Sequence, residues 1–212
     1  MRQRKVKNLE EKIDSYSRFF VTEPGQCRGK WQEIFGNDRE AFLELGCGKG
    51  QFITTLAERN PLANFIAVEG QHTVLLRALE KIEEKGLSNV MVIPSYIQDI
   101  RDYFEKGELA GIYLNFSDPW PKERHAKRRL THHRYLNGYR DVVKDGGFVE
   151  FKTDNDGLFD FSLEEIEGCG LKVEECTRDL HASDYLSREI TTEYEDRFRA
   201  AGKNINYVKF IV

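Results

Sequence analysis

Apolar residues in this chain fall into short continuous runs, separated by stretches in which they recur every three or four positions. That pattern is the mark of strands alternating with amphipathic helices. Ala41 to Leu45 is the first clear strand, and Gly46-Cys47-Gly48-Lys49-Gly50 turns it into a helix over Gln51 to Arg59, which Asn60-Pro61 stops. A second strand, Phe65 to Val68, ends at Glu69; a helix over Thr73 to Lys85 ends at Gly86; and Val90 to Ile93 forms a third strand. Ile112-Tyr113-Leu114 is a fourth, short and buried. A helix through the basic stretch that follows is expected to reach Val143, and Asp145-Gly146-Gly147 then turns into a fifth strand, Phe148 to Lys152. The remainder predicts a helix over Leu158 to Glu167, a long strand over Leu171 to Leu180, a helix over Glu193 to Ala201 and a terminal strand over Ile205 to Val212. The alternation implies an α/β fold with helices on both faces of a largely parallel sheet, completed by an antiparallel pair of late strands to a seven-stranded mixed sheet.

Composition adds bounds to this picture. A length of 212 residues and 40% hydrophobic content suit one domain, with residues 1–38 as an amino-terminal extension packed on the core or partly flexible. No stretch approaches the roughly 20 apolar residues of a membrane span, and Met1-Arg2-Gln3-Arg4-Lys5 leads into no signal-peptide core, so a cytoplasmic protein is expected. Cys27, Cys47, Cys169 and Cys176 form no C-x-x-C pair and read as reduced thiols. His125, His132 and His133 have no acidic or Cys partner at a metal-binding spacing, so no metal is expected and phosphate or surface roles are assigned to them.

The net charge of -4 argues against a nucleic-acid partner only until its distribution is considered. From Lys122 to Arg134 there are six Lys or Arg against the single Glu123, whereas acidic residues dominate from Asp154 to Asp196. A basic run alone is as often a solvated face as a binding surface. Here it follows Asn115-Phe116-Ser117-Asp118-Pro119-Trp120-Pro121, which leaves the carboxyl end of the fourth strand, where open α/β sheets bind ligands. An aromatic for stacking, a carboxylate for a cationic centre and a basic arm for phosphates together suggest chemistry on a nucleic-acid base. Arg2, Arg4, Lys5 and Lys7 add either a phosphate-binding arm or a disordered terminus.

The first glycine-rich turn narrows the cofactor. Gln51 stands where a dinucleotide fingerprint wants Gly, and the spacing is wrong for a phosphate-binding P-loop. Small residues at Gly46, Gly48 and Gly50 instead let the backbone approach an adenosyl-amino acid, and Glu44 before them suits its ammonium group. Glu69, at the end of the second strand, is placed to accept both ribose hydroxyls.

These blocks resemble the bacterial tRNA (guanine-N7-)-methyltransferase family, known as TrmB. The resemblance runs in order through Phe35-Gly36-Asn37-Asp38, Glu44 to Phe52, Tyr113 to Lys122, Arg124-His125, Lys127 to Thr131, Phe151 to Asn155, Gly157-Leu158-Phe159, Asp179-Leu180-His181 and Thr192-Glu193-Tyr194-Glu195. It implies a Rossmann-like class I methyltransferase fold, S-adenosyl-L-methionine as donor, and methylation at N7 of a variable-loop guanine in tRNA, usually position 46. It further implies that Glu44, Glu69 and Asp118 contact the cofactor, with Asp118 catalytic, and that Lys122, Asp154, Thr192, Glu193, Tyr194 and Glu195 contact the substrate. Arg124, His125, Ala126, Lys127, Arg128 and Arg129 would form the RNA-interaction element. Tyr96 departs from the Asp common in the family, which leaves Tyr96, Gln98 or Asp99 as the adenine contact. Thr192 and Glu195 also have the spacing of a capping box, and His181 is assigned to structure or RNA orientation.

Guanine N7 carries an in-plane lone pair, so its methylation requires no general base, and catalysis reduces to positioning and electrostatics. An amino-methyltransferase acting on another RNA and a tRNA-binding or chaperone protein with a vestigial cofactor pocket are the competing readings. Monomer and homodimer are both compatible with the sequence.

Overall fold

In the computed structural model, residues 7–21 and 23–212 are described; Arg2, Arg4 and Lys5 of the basic terminus lie outside them. Seven strands form one sheet: β1 Ala41–Leu45, β2 Asn64–Val68, β3 Val90–Ile93, β4 Leu109–Asn115, β5 Val143–Thr153, β6 Lys172–Thr177 and β7 Asn206–Ile211. Their order is β3-β2-β1-β4-β5-β7-β6, parallel throughout except for β7, which runs antiparallel to β5 and to β6. Every residue of β2 and β4 is buried, as expected of a parallel sheet covered on both faces.

Period-two alternation sorts those strand residues into two apolar layers. Leu43, Leu45, Ile66, Val68, Ile112 and Leu114 face α5 (His133–Val142) and α6 (Asp156–Gly168), through Leu136, Tyr139, Leu158 and Phe159. Phe65, Ala67, Val90, Val92 and Tyr113 face α3 (Gln51–Arg59) and α4 (His72–Glu84), through Phe52, Ile53, Leu75 and Leu79. The amino-terminal segment joins both layers. Ile13 of α1 (Leu9–Asp14) enters the second, and Trp31, opening α2 (Trp31–Phe35), enters the first, stacking on Phe104 with ring centroids 5.2 Å apart. No helix among the described residues is long and apolar enough to cross a membrane.

Three expected elements differ, the first being the fifth strand, which starts at Val143 and not at Phe148, with Asp145-Gly146-Gly147 inside it. The basic segment is not one helix running to Val143. Glu123–Arg128 is a 3-10 stretch, Arg129 turns out to extended backbone (φ -66°, ψ 130°), and α5 begins only at His133, capped by the side chain of His132, which accepts from the Arg134 N–H at 3.3 Å. Tertiary bonds force the break. The Tyr139 hydroxyl donates to the Leu130 carbonyl at 2.9 Å, and Thr131 Oγ1 lies 2.7 Å from Ser162 Oγ of α6. The late strand also stops short, at Thr177, because Asp179 turns the chain by accepting from the Ala182 N–H at 3.3 Å.

Strand order reverses between β1 and β4, where the chain crosses from one side of the sheet to the other. The carboxyl ends of these two neighbours, paired Leu45 to Leu114, therefore open the crevice in which such sheets hold ligands.

Candidate active site

The turn after β1 is fixed from below and open above. Val68 at the end of β2 accepts from both the Gly46 and Cys47 N–H groups at 2.9 Å. Gly46 and Gly48 hold φ of 79° and 57°, and a side chain at either would meet nothing within 4 Å, so bare backbone faces open space there. Gly50 has a different reason: its added Cβ would lie 2.7 Å from that of Ala78, so α3 and α4 approach too closely for any side chain.

Carboxylates converge on this turn. Glu44 of β1 is buried, and its Oε1 accepts from Asn115 Nδ2 at 2.8 Å, tying β1 to the end of β4. Its Oε2 is buried with no hydrogen-bond partner among the described residues, and burial pushes its pKa from 4.5 up to about 7. Glu69 accepts from the Gly48 N–H at 3.1 Å and from the Gln71 N–H at 2.7 Å, and burial raises its pKa too. The charges are close enough to act on one another: Asp118 works against ionisation of Glu69, Glu193 against ionisation of Glu44, and Glu44, Glu69 and Glu193 all bear on the buried Cys47 thiol. An orphaned buried carboxylate oxygen inside such a negative field fits a cationic donor group.

The loop after β4 carries the fourth acid. Phe116 and Trp120 both hold positive φ, 52° and 40°, conformations that cost a non-glycine residue about 1–3 kcal/mol each. Asp118 stands between them, exposed and without a hydrogen bond or ion pair among the described residues. Phe116 stacks on Phe198 at 5.9 Å, while the Trp120 ring is covered by the Arg128 guanidinium at 4.7 Å and meets His125 edge-on at 5.8 Å. Lys122, Arg124, Lys127 and Arg128 are exposed beside it.

The comparisons with known proteins agree with this geometry. A family described as "Putative methyltransferase" matches residues 38–208. A tRNA (guanine-N(7)-)-methyltransferase of Lachnoclostridium phytofermentans is 46% identical over 206 residues, covering 97% of this chain and 96% of that one. One of Clostridioides difficile is 45% identical over 206 residues, with 97% and 96% covered. The chain belongs to the tRNA (guanine-N7-)-methyltransferase family. Its fold is also that of a solved S-adenosylmethionine-dependent methyltransferase from Aquifex aeolicus, at TM-score 0.57 and 16% identity, covering 97% of this chain and 99% of that one. The fold is the Rossmann-like class I methyltransferase fold, and S-adenosyl-L-methionine is the cofactor.

Several side chains expected at the site have partners within the protein. Glu195, expected with Thr192, Glu193 and Tyr194 to contact the substrate, is wholly buried; it bonds His181 Nε2 at 2.7 Å and Lys152 Nζ at 3.4 Å. Only half of the capping box forms: the Glu195 N–H donates to Thr192 Oγ1 at 3.0 Å, but the Glu195 carboxylate does not return to Thr192, because the buried Lys152 and His181 claim it. Lys152 also donates to the carbonyls of Ser187 and Ile190 at 2.6 and 2.9 Å, so it pins the segment before α7 (Glu193–Ala200) onto the end of β5. Removing one partner of so buried a pair costs about 3–5 kcal/mol. Burial lowers the His181 pKa, against the pull of the Glu195 carboxylate.

Other residues are partly committed. Glu193 pairs with Lys81, and Asp154 with Lys203 at 2.6 Å, whereas Tyr194 remains 55% exposed. Of the adenine candidates, Asp99 is taken by Arg101, whose Nη2 lies 2.6 Å away; Tyr96 is exposed, with its ring laid on Gly70. Within the RNA-interaction element, Ala126 and Arg129 are buried, and Arg129 points inward.

Two side chains, Gln51 and Glu165, have partners that linear spacing does not reveal. Gln51 Nε2 donates to Thr191 Oγ1 at 3.3 Å and to Asp196 at 2.7 Å, joining the glycine turn to α7. Its place as the non-glycine closing the turn was the available signal. Glu165 lies 2.9 Å from His133 Nδ1 and also near His132, an acidic partner that linear spacing hid. One of its oxygens serves both the ring and the backbone N–H of His133, so the cluster is bonded as a cap on α5.

Proposed function

We propose that this chain methylates N7 of a variable-loop guanine in tRNA. The observation that carries the reading is the convergence of Glu44, Glu69 and Asp118 at the β1 and β4 carboxyl ends, immediately beside an exposed cationic face. Glu44 would accept the cofactor's ammonium group, Glu69 its ribose hydroxyls, and the open backbone at Gly46 and Gly48 would let it approach. Bound there, S-adenosylmethionine supplies a methyl group on a sulfonium, ready for a lone pair. Everything else falls to the protein. Asp118 balances the positive charge the guanine ring acquires and accepts from its N1–H and exocyclic amine, a donor face adenine lacks. No side chain has to remove a proton.

N7 is stacked inside folded tRNA, so the base must be brought out, and Lys122, Arg124, Lys127 and Arg128 would hold the phosphates around it. The tRNA substrate implies a cytoplasmic protein. One domain suffices, with the amino-terminal segment held through Trp31 and Ile13. The experiment is methyl transfer to two tRNA transcripts that differ only in the variable-loop guanine. The guanine transcript is expected to take label, and its adenine counterpart none; equal labelling of both places the target elsewhere.

A further inference from the structure

We propose that Arg129 is a positioning residue for methyl transfer, a clamp that holds the Asp118 loop in its strained conformation, and not one of the phosphate contacts. This rests on the functional reading above for the meaning of Asp118.

Arg129 lies inside the basic run, yet it is only 9% exposed. A phosphate contact needs its guanidinium at the surface. Here Nε donates to the Pro119 carbonyl at 3.2 Å and Nη2 to the Trp120 carbonyl at 3.1 Å, so the fork grips the two residues that follow Asp118. The guanidinium plane rests on Phe161 of α6, 4.3 Å from the ring centroid. The backbone behind it is fixed as well, since Thr131 bonds Ser162 and Leu130 accepts from Tyr139. The clamp therefore has a rigid base in α5 and α6 and a grip on the loop.

That loop needs a grip. Phe116 and Trp120 hold positive φ without being glycine, and such conformations persist only where the surroundings over-determine them. Charge-assisted bonds from a planar, stacked guanidinium to two consecutive carbonyls supply the restraint, and Lys can neither fork nor stack in that way. Arg128, one residue earlier, covers the outer face of Trp120, so neighbouring arginines face opposite ways: one toward solvent, one into the loop.

The test compares Arg129→Ala and Arg129→Lys with Lys127→Ala, an exposed charge on the same segment. Arg129→Ala is expected to lower kcat by about 10- to 100-fold through misplacement of Asp118, with the KM for tRNA and its salt dependence unchanged. Lys127→Ala is expected to do the reverse, raising KM and flattening the salt slope by about 0.7–0.9 with kcat unchanged. Guanidinium ion, at ionic strength matched with sodium chloride, should restore part of the kcat of Arg129→Ala. A merely destabilised protein would not regain it. The chain's two tryptophans are Trp31, which is buried, and Trp120, so acrylamide quenching reports the loop and should increase in Arg129→Ala. Should the alanine variant not fold, Arg129→Lys carries the same readouts, with an intermediate kcat expected. A raised KM with a lower salt slope, wild-type kcat and unchanged quenching would make Arg129 a phosphate contact and overturn the proposal. If the wild-type protein labels no tRNA, the functional reading fails on its own. The quenching then decides the clamp, increased quenching keeping it and unchanged quenching removing it.

Discussion

Asp118→Ala is expected to lower turnover by about 10²–10³-fold while weakening cofactor binding less than tenfold, the loss typical of removing one preorganised electrostatic group from a reacting centre. The structure gives the reason for the split. Asp118 is exposed and carries no structural bond among the described residues, so its removal leaves the fold intact, together with Glu44 and Glu69, the proposed cofactor contacts. What disappears is the only carboxylate on the loop between the two strained aromatics. Asp118→Asn should lose nearly as much, because the shape is retained and the charge is not. Steady-state kinetics with tRNA and a binding isotherm for S-adenosylmethionine check both halves. Turnover within tenfold of wild type would remove Asp118 from the mechanism.

Glu44→Gln should make the protein more stable and worse at binding. The folded chain holds the Glu44 proton up to about pH 7, whereas an unfolded chain releases it near 4.5. Folding therefore takes up a proton between those values, and wild-type stability falls as pH rises through that window. The amide of the variant has no proton to lose and still accepts from Asn115. The variant's advantage should grow from nothing near pH 4.5 to about 3 kcal/mol above pH 7, on the order of magnitude that such a shift sets. Cofactor affinity moves the other way, because the orphaned Oε2 that makes Glu44 costly is also the acceptor for an ammonium group. Its loss should weaken binding by about 10- to 100-fold. In the wild type the same affinity should rise by about tenfold per pH unit between 5 and 7, as Glu44 ionises. Denaturation and calorimetry across pH measure both trends. A variant no more stable at pH 8 would mean that Glu44 is already compensated.

The first half of the sheet was legible because each element carries its own punctuation. The glycines after β1, Asn60-Pro61 after α3 and Gly86 after α4 mark their boundaries, and β1, α3 and β3 begin and end where the pattern put them. The basic segment misled because charge and spacing describe a helix surface, whereas its conformation is set by side-chain bonds to Tyr139, nine residues on, and to Ser162 of α6. The site divides in the same way. Glu44, Glu69 and Asp118 lie at or just past strand ends, positions that the sequence marks by the turns that follow β1, β2 and β4. Glu195 occupies a motif position, but the partner that decides its role, Lys152, is a charged residue near the end of a mixed strand, and nothing local reveals that it points inward. Arg129 likewise reads as one more cation in a basic run; its burial beneath the loop depends on α6.

The most direct measurement is identity of the product: tRNA lacking modifications, incubated with the protein and methyl-labelled S-adenosylmethionine, then digested to nucleosides and resolved by mass spectrometry. Label is expected in N7-methylguanosine, a nucleoside with a fixed positive charge. Label in a nucleoside methylated on an exocyclic amine, or cofactor binding with no label in any RNA fraction, would contradict methyl transfer to guanine N7.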